Sequence, residues 1–470
     1  LNRIIRLPVL GLAALLIAPV ATAEGSSRGR AERALAAAEA LFGNRASPAS
    51  AGPREGTLVM RDLALAIPSL GAADRRRARS ILKRPSKGGD PDSFGKEAAG
   101  SPLCNSRFCV HWGTGAPPGA PDYVESVLEA AATSYEVENG DLGWRDPVSD
   151  RDRGGGGQVD VYLADLGRRL FGYAAPDPGQ TGHSRSAYVV IDNDYEGFSG
   201  SPLTLMRATL AHEYNHVLHF AYDSRQELWM FEATATWMED QVYPEIDDYL
   251  GFLPPFARRS SRPMAEQDRG AKKPYGSAMW NHWLTATHGA AVVRRAWAVS
   301  AAVRPPHVAV AAYDRAIKIA GGRSFSREFA EFAVATAEWN SSRSFPDAGR
   351  YPDVRRAGRL GAGTRRGRLD HTAYRLHGVR SGGKLRLQAR VERGTKSAIA
   401  LVGRAGPRGA GAVTVAFRYL PRGGRATVRL ARSGRFDRVT AVLVNADGRV
   451  RGPGPSYARD GRLFAARIVR

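Results

Sequence analysis

His212-Glu213-Tyr214-Asn215-His216 is followed by a second apolar stretch, Trp229-Met230-Phe231-Glu232-Ala233-Thr234-Ala235-Thr236-Trp237-Met238-Glu239. On a helix, side chains four residues apart stand on one face about 6 Å from each other, so both imidazoles can reach one ion. Glu213 follows the first histidine directly, which is the place from which a carboxylate can take a proton from an activated water. The pair reads as an HExxH zinc signature on a helix, and the second stretch reads as the helix that comes back against it.

Two imidazoles are too few, because a catalytic Zn2+ takes three protein ligands. Four downstream residues compete for the third place. His219 is seven residues beyond His212, about 10.5 Å up a straight helix, too far for three ligands of one helix to converge. Asp223 lies seven residues past His216, one more than the metzincin spacing allows. Glu232 and Glu239 share a face of the following helix, and Ala233, Thr234 and Ala235 are small enough to let that helix pack closely. Glu232 is the expected ligand, Glu239 the expected carboxylate behind a ligand imidazole, and His219 a packed histidine. Glu213 would act as general base and then pass its proton to the leaving amine. Tyr275, and after it His282, are the candidates for stabilising an oxyanion, a role worth about 3 kcal/mol. The strand expected over Ala187–Ile191 could offer its edge to an extended peptide. Asp192-Asn193-Asp194-Tyr195-Glu196 gathers hard oxygen donors, so Ca2+ is a candidate there, against a solvated acidic turn; the EF-hand spacing is absent.

Around this centre the chain divides by composition. Residues 1–23 have the form of a signal peptide: Arg3 and Arg6, an apolar run from Leu7 to Val20, and Ala21-Thr22-Ala23 as a cleavage site. No segment has the length and apolarity of a membrane anchor, so a secreted, extracellular protein is expected. Cys104 and Cys109 are the only two cysteines, and in an oxidising compartment such a pair forms a disulfide. Residues 24–100 read as a helical pro-region or attached extension, with helices over Ala31–Phe42 and within Thr57–Leu82, then a Gly/Pro/Ser-rich linker. From residue 101 the pattern becomes mixed: strands at Phe108–Trp112, Val159–Leu163 and Ala187–Ile191, then helices over Pro202–Tyr222, Glu227–Val242, Tyr275–Thr287, Arg294–Ala301, Val308–Ala320 and Phe325–Ala337. Residues 346–470 alternate in short apolar runs between glycine-rich turns, as an antiparallel β-sandwich does. Val354–Arg470 holds 28 Lys and Arg against five acids, so the whole net charge of +22 resides there. A GC-rich genome explains much of that arginine; attraction to anionic cell-surface polymers or lipid headgroups is the alternative. No motif for specific nucleic-acid binding accompanies the charge.

The His212–His216 motif with Phe220-Ala221-Tyr222-Asp223 and Glu232 to Asp240 resembles a family of bacterial secreted zinc metalloproteases first catalogued in myxobacteria, gluzincin-like in its ligand pattern. The likeness extends over Phe108–Trp112, Pro121–Val124, Asp160–Gly167 and Ala187–Tyr195, and so over about residues 100–345. It implies peptidase activity with His212, His216 and Glu232 as ligands and Glu213 as base. Thr236 stands where many glutamate zincins carry an acid, which is why Glu239 enters the expected site.

The fold expected is therefore α+β: a zincin-like metallopeptidase domain over 101–345 with a helical C-terminal subdomain, followed by an antiparallel β-sandwich module. Its expected substrate is a protein or peptide. The rival functions are hydrolysis of cell-wall peptide crosslinks and a non-catalytic surface-binding protein whose metal is structural.

Overall fold

The computed structural model describes residues 27–43, 56–85, 102–113, 120–167, 170–266, 272–341, 345–449 and 460–470. The expected signal peptide lies outside these residues. The chain is a mixed α+β protein with helices and several sheets.

Its first sheet has five strands: β1 (Leu103–Cys104), β2 (Phe108–His111), β3 (Val159–Ala164), β4 (Gly172–Pro176) and β5 (Ala187–Asp192), in the order β1-β2-β3-β5-β4. β2, β3 and β5 are parallel, and β1 and β4 run antiparallel to their neighbours. Cys104 and Cys109 face each other across the β1–β2 hairpin and are joined as a disulfide. β3 and β5 are buried along almost their whole length because both faces of the sheet are covered, with Asp160 in β3 and Asp192 at the end of β5 as their only charged residues. On one face Val161, Leu163, Val189 and Ile191 share a core with α4 (Ala120–Tyr135) and α5 (Pro202–Asp223). On the other, Tyr162, Tyr188 and Val190 meet α1 (Ser27–Gly43), α2 (Gly56–Ala66) and α3 (Ala72–Ile81). The N-terminal helices thus form a layer of the fold.

β5 lies between β3 and β4. The expectation that Ala187–Ile191 offers a free edge is corrected: the edge beside α5 is β4. Gly172-Tyr173-Ala174-Ala175-Pro176 carries little alternation and ends in proline, so the strand was not legible. Proline is tolerated there because an edge strand can spare an N–H.

After α5 come α6 (Leu228–Val242), α7 (Leu253–Arg258), α8 (Lys273–Gly276), α9 (Ala278–His288), α10 (Ala291–Val299), α11 (Ala309–Ile319) and α12 (Phe325–Ala335). The helix expected over 275–287 is divided between α8 and α9. Gly276 sits where a Cβ would come within 2.6 Å of the Phe252 carbonyl oxygen and Phe256, so that turn can approach its neighbour only as glycine.

The C-terminal region comprises β6 (Arg356–Arg359), β7 (Arg365–Leu369), β8 (Ala373–Val379), β9 (Leu385–Val391), β10 (Ser397–Ala405), β11 (Ala412–Leu420), β12 (Gly424–Leu430), β13 (Arg438–Asn445) and β14 (Arg462–Val469). They form two sheets, β11-β10-β13-β8-β6 and β12-β9-β14-β7, antiparallel except for the β6–β8 pair. Leu385, Leu387 and Val391 of the second share a cluster with Ile399, Leu401 and Leu443 of the first. The other face of the five-stranded sheet (Ala398, Ala400, Val442, Val444) joins the core that holds α12. β10 is therefore apolar on both faces.

A buried ion cluster ties the N-terminal layer to the first sheet. The Arg84 guanidinium meets Asp150 and Asp177 at 2.9 Å each, and also meets Asp160. Removing one partner from a buried charge cluster strands the others. Arg84→Met is expected to lower unfolding free energy by about 3–5 kcal/mol in urea titration, with Arg84→Lys between; a loss below about 1 kcal/mol would show the cluster to be incidental.

Candidate metal centre

α5 starts on Pro202, whose missing N–H costs nothing at a first turn. From Ala208 onward every residue of α5 is buried. The chain then turns through 224–227 and returns as α6. Asp223 fixes the turn by accepting from Ser300 Oγ and from His307 Nδ1 at 2.8 Å, and Glu227 Oε2 accepts from the Ala309 amide at 3.0 Å. The small residues of α6 are used as contacts: the Ala233 carbonyl accepts from Asn281 Nδ2 at 3.0 Å, and Thr234 Oγ1 accepts from Trp297 Nε1 at 3.1 Å. These bonds set the rotation of α6, and with it the direction of Glu232.

His212 Nε2 lies 3.3 Å from Glu232 Oε2, and His216 Nε2 lies 3.9 Å from Glu232 Oε1. One ligand atom from each of the three residues falls within 4.8 Å of the other two. Donors bound at 2.0–2.1 Å around a tetrahedral ion stand about 3.3 Å apart, so the three residues could hold one metal ion. His216 Nε2 is buried and has no hydrogen-bond partner among the described residues, which a ligand position accounts for.

Each imidazole is held by its other nitrogen. His212 Nδ1 is 2.6 Å from Glu239 Oε1, and His216 Nδ1 is 3.1 Å from His219 Nδ1. With an ion bound, a proton on each Nδ1 would leave each Nε2 lone pair for the metal. His219 itself is stacked on Trp297 with ring centroids 3.9 Å apart. Burial opposes charge on His212, but Glu232, Glu239 and Glu213 together raise its pKa well above the usual value. Burial, then His212, His219 and Arg61, hold His216 well below it.

Glu213, one position on from His212, lines the same cleft as that imidazole. Burial pushes its carboxyl up to about 7 against the opposing pull of His212 and Thr57. Thr57 Oγ1 donates to Glu213 Oε2 at 2.6 Å and accepts from the Ala174 amide at 2.8 Å. Sequence reading missed this contact, since 156 positions separate the two residues. A cleft opens beside His212, Glu213 and Glu239, walled by Phe171, Leu205, Ala208, Phe252 and Tyr275. The Tyr275 ring stacks on His212 with centroids 6.0 Å apart. His282 is not brought to this cleft: it stands 3.8 Å from Asp240 and 4.8 Å from the Tyr249 ring, and burial pulls it down to about 3.

The Asp192–Glu196 loop does not gather ligands. Asp192 accepts from the amides of Leu166, Asp194 and Tyr195, so its oxygens serve the backbone, and burial pushes it up to about 7. The second group of carboxylates close enough to share an ion is Asp240, Asp247 and Asp347. There Arg350 pairs with Asp247, and Tyr249 donates to Asp347.

A family model described as "Family of unknown function (DUF6055)" matches residues 198–354, which contain α5, α6 and all three candidate ligands. That family carries no assigned activity. No curated protein matches the chain.

One Zn2+ or Co2+ per chain is the expected stoichiometry by metal analysis. His216→Ala and Glu232→Ala should abolish binding, and Glu239→Gln should weaken it roughly 10- to 100-fold by loosening His212. Unchanged affinity in Glu232→Ala would remove that residue from the site.

Proposed function

We propose that the chain is an exported zinc-dependent endopeptidase, zincin-like in its catalytic region, with a C-terminal β-sandwich that localises it. The observation that supports this reading is the convergence of His212, His216 and Glu232 with Glu213 beside them on the same helix. When bound, zinc supplies Lewis acidity, acidifying water and polarising a carbonyl. Glu213 takes the proton of the attacking water and delivers it to the departing amine. Glu239 and His219 keep the two imidazoles in register. Tyr275, stacked on His212 in the cleft wall, is the donor to the developing oxyanion. A purely structural metal site has no use for Glu213. The disulfide and residues 1–23 support an oxidising, extracytoplasmic destination.

Purified chain with zinc is expected to cleave casein, to stop with chelator and to resume with added Zn2+. Glu213→Gln should lower kcat roughly 10^3-fold with zinc content unchanged. Activity that survives Glu213→Gln defeats the mechanism; cleavage of peptidoglycan but not casein would move the substrate to cell-wall crosslinks.

The outward face of the four-stranded sheet supports the localising role. Arg390 stands opposite Arg425, and Arg386 opposite Arg429; Arg366 and Arg467 extend the patch on β7 and β14. None of these six has an acidic partner among the described residues. Like charges directly opposed across strands, about 5 Å apart, destabilise a sheet, and a polyanion laid over them offsets that cost. The trough that all of them but Arg386 line, with Gln388, Thr427 and one acid, Glu392, has no aromatic ring, so it lacks the platforms that stack bases. Its fit is to an extended anionic glycan. Arg390→Glu with Arg425→Glu is expected to weaken binding of dextran sulfate at least tenfold, and more than Arg258→Glu with Arg315→Glu, which makes the same charge change elsewhere. Equal losses from the two pairs would mean that net charge alone acts.

A further inference from the structure

We infer that residues 56–61 occupy the place of the substrate, so that the chain folds in a latent form; this rests on the hydrolase reading above. β4 pairs with β5 on one side only, and the Ala174 amide on its other side donates to Thr57 Oγ1 at 2.8 Å. An edge amide of this kind is what an extended peptide would engage when it lies beside a sheet. The same Thr57 hydroxyl donates its proton to Glu213 Oε2 at 2.6 Å. One group therefore takes up both the strand edge and the carboxylate that must accept a proton from water.

The fit is close. At Gly56 a Cβ would stand 2.8 Å from the Tyr173 Cβ, so any larger residue would push the start of α2 off the edge strand. One turn further on, Arg61 donates to the Gln226 carbonyl at 3.0 Å and lies over the Phe231 ring at 4.9 Å, beside the ligand Glu232. The stretch from Gly56 to Arg61 thus runs from the base to the α5–α6 turn. Leu58 is fully buried in the main core and Thr57 is 2 % exposed. While this stretch is in place, a peptide cannot pair with the Ala174 amide, and Glu213 Oε2 is held by Thr57. Thr57 is a blocking residue here, and hydrolysis requires its departure.

The test measures initial rates on a peptide substrate, with zinc content, for the full chain and for two altered forms. The first is Thr57→Ala, which frees Glu213 without removing α2. The second is the full chain with a site-specific protease sequence placed within residues 86–100, cut in its folded state with both pieces kept together, so that the N-terminal fragment can leave the cleft without being removed. Latency predicts at least a fivefold rise in kcat/KM for Thr57→Ala and a larger rise for the cut form. If Thr57→Ala does not fold, the cut form alone decides between latency and its absence. A parent chain as active as the cut form, or a cut form less active than the parent, overturns latency and leaves the hydrolase reading standing. A cut form that holds zinc and hydrolyses nothing overturns the hydrolase reading, and latency with it.

Discussion

The docking of α6 onto α5 is the constraint on which the rest of the molecule depends. A carboxylate from one helix must face two imidazoles of another within 4.8 Å, in a place where His216 is wholly buried. Apolar packing alone would not fix the rotation of α6. Directional bonds do: Asn281 to the Ala233 carbonyl, Trp297 to Thr234, and Asp223 held by Ser300 and His307. α9, α10 and the segment before α11 thus act as a frame for two helices. The sequence between 278 and 310 has its chemistry in that support.

The same centre shows what a single sequence can and cannot disclose. His212, Glu213 and His216 are adjacent on one helix, so their spacing alone brings them together. Glu232 was legible because a return helix limits where the next donor can be, and Glu239 because it shares the face of Glu232. Both carboxylates lie against the His212 ring. Tyr275 reaches the cleft and His282 does not, although they lie on neighbouring helices; which way a buried aromatic faces is decided by packing that no periodicity records. Thr57 left no signal, because its role exists only once α2 is laid along β4.

For the sheets, the outcome depended on how each strand is covered. β9 and β13 announced themselves by apolar runs between turns. β4 was hidden by Gly172 and Pro176, residues that suit an edge and mask a strand. β7 carries Arg365, Arg366 and Arg368 in five residues and reads as charge rather than as strand, while β14 sets Leu463, Ala465 and Val469 on its outward side, which blurs its alternation. The two faces of β10 belong to different cores, one shared with β9 and one with α12, so its run of apolar residues has no period to detect. The N-terminal helices, which composition sets apart from the mixed region beginning near residue 101, cover one face of the first sheet and reach the centre through Thr57.

The most direct measurement is anomalous diffraction at the zinc edge from crystals of the zinc-loaded chain. One peak is expected between the Nε2 atoms of His212 and His216 and the Glu232 carboxylate, within about 2.2 Å of each. A peak elsewhere, or one at the two histidines with Glu232 turned away, would contradict the account.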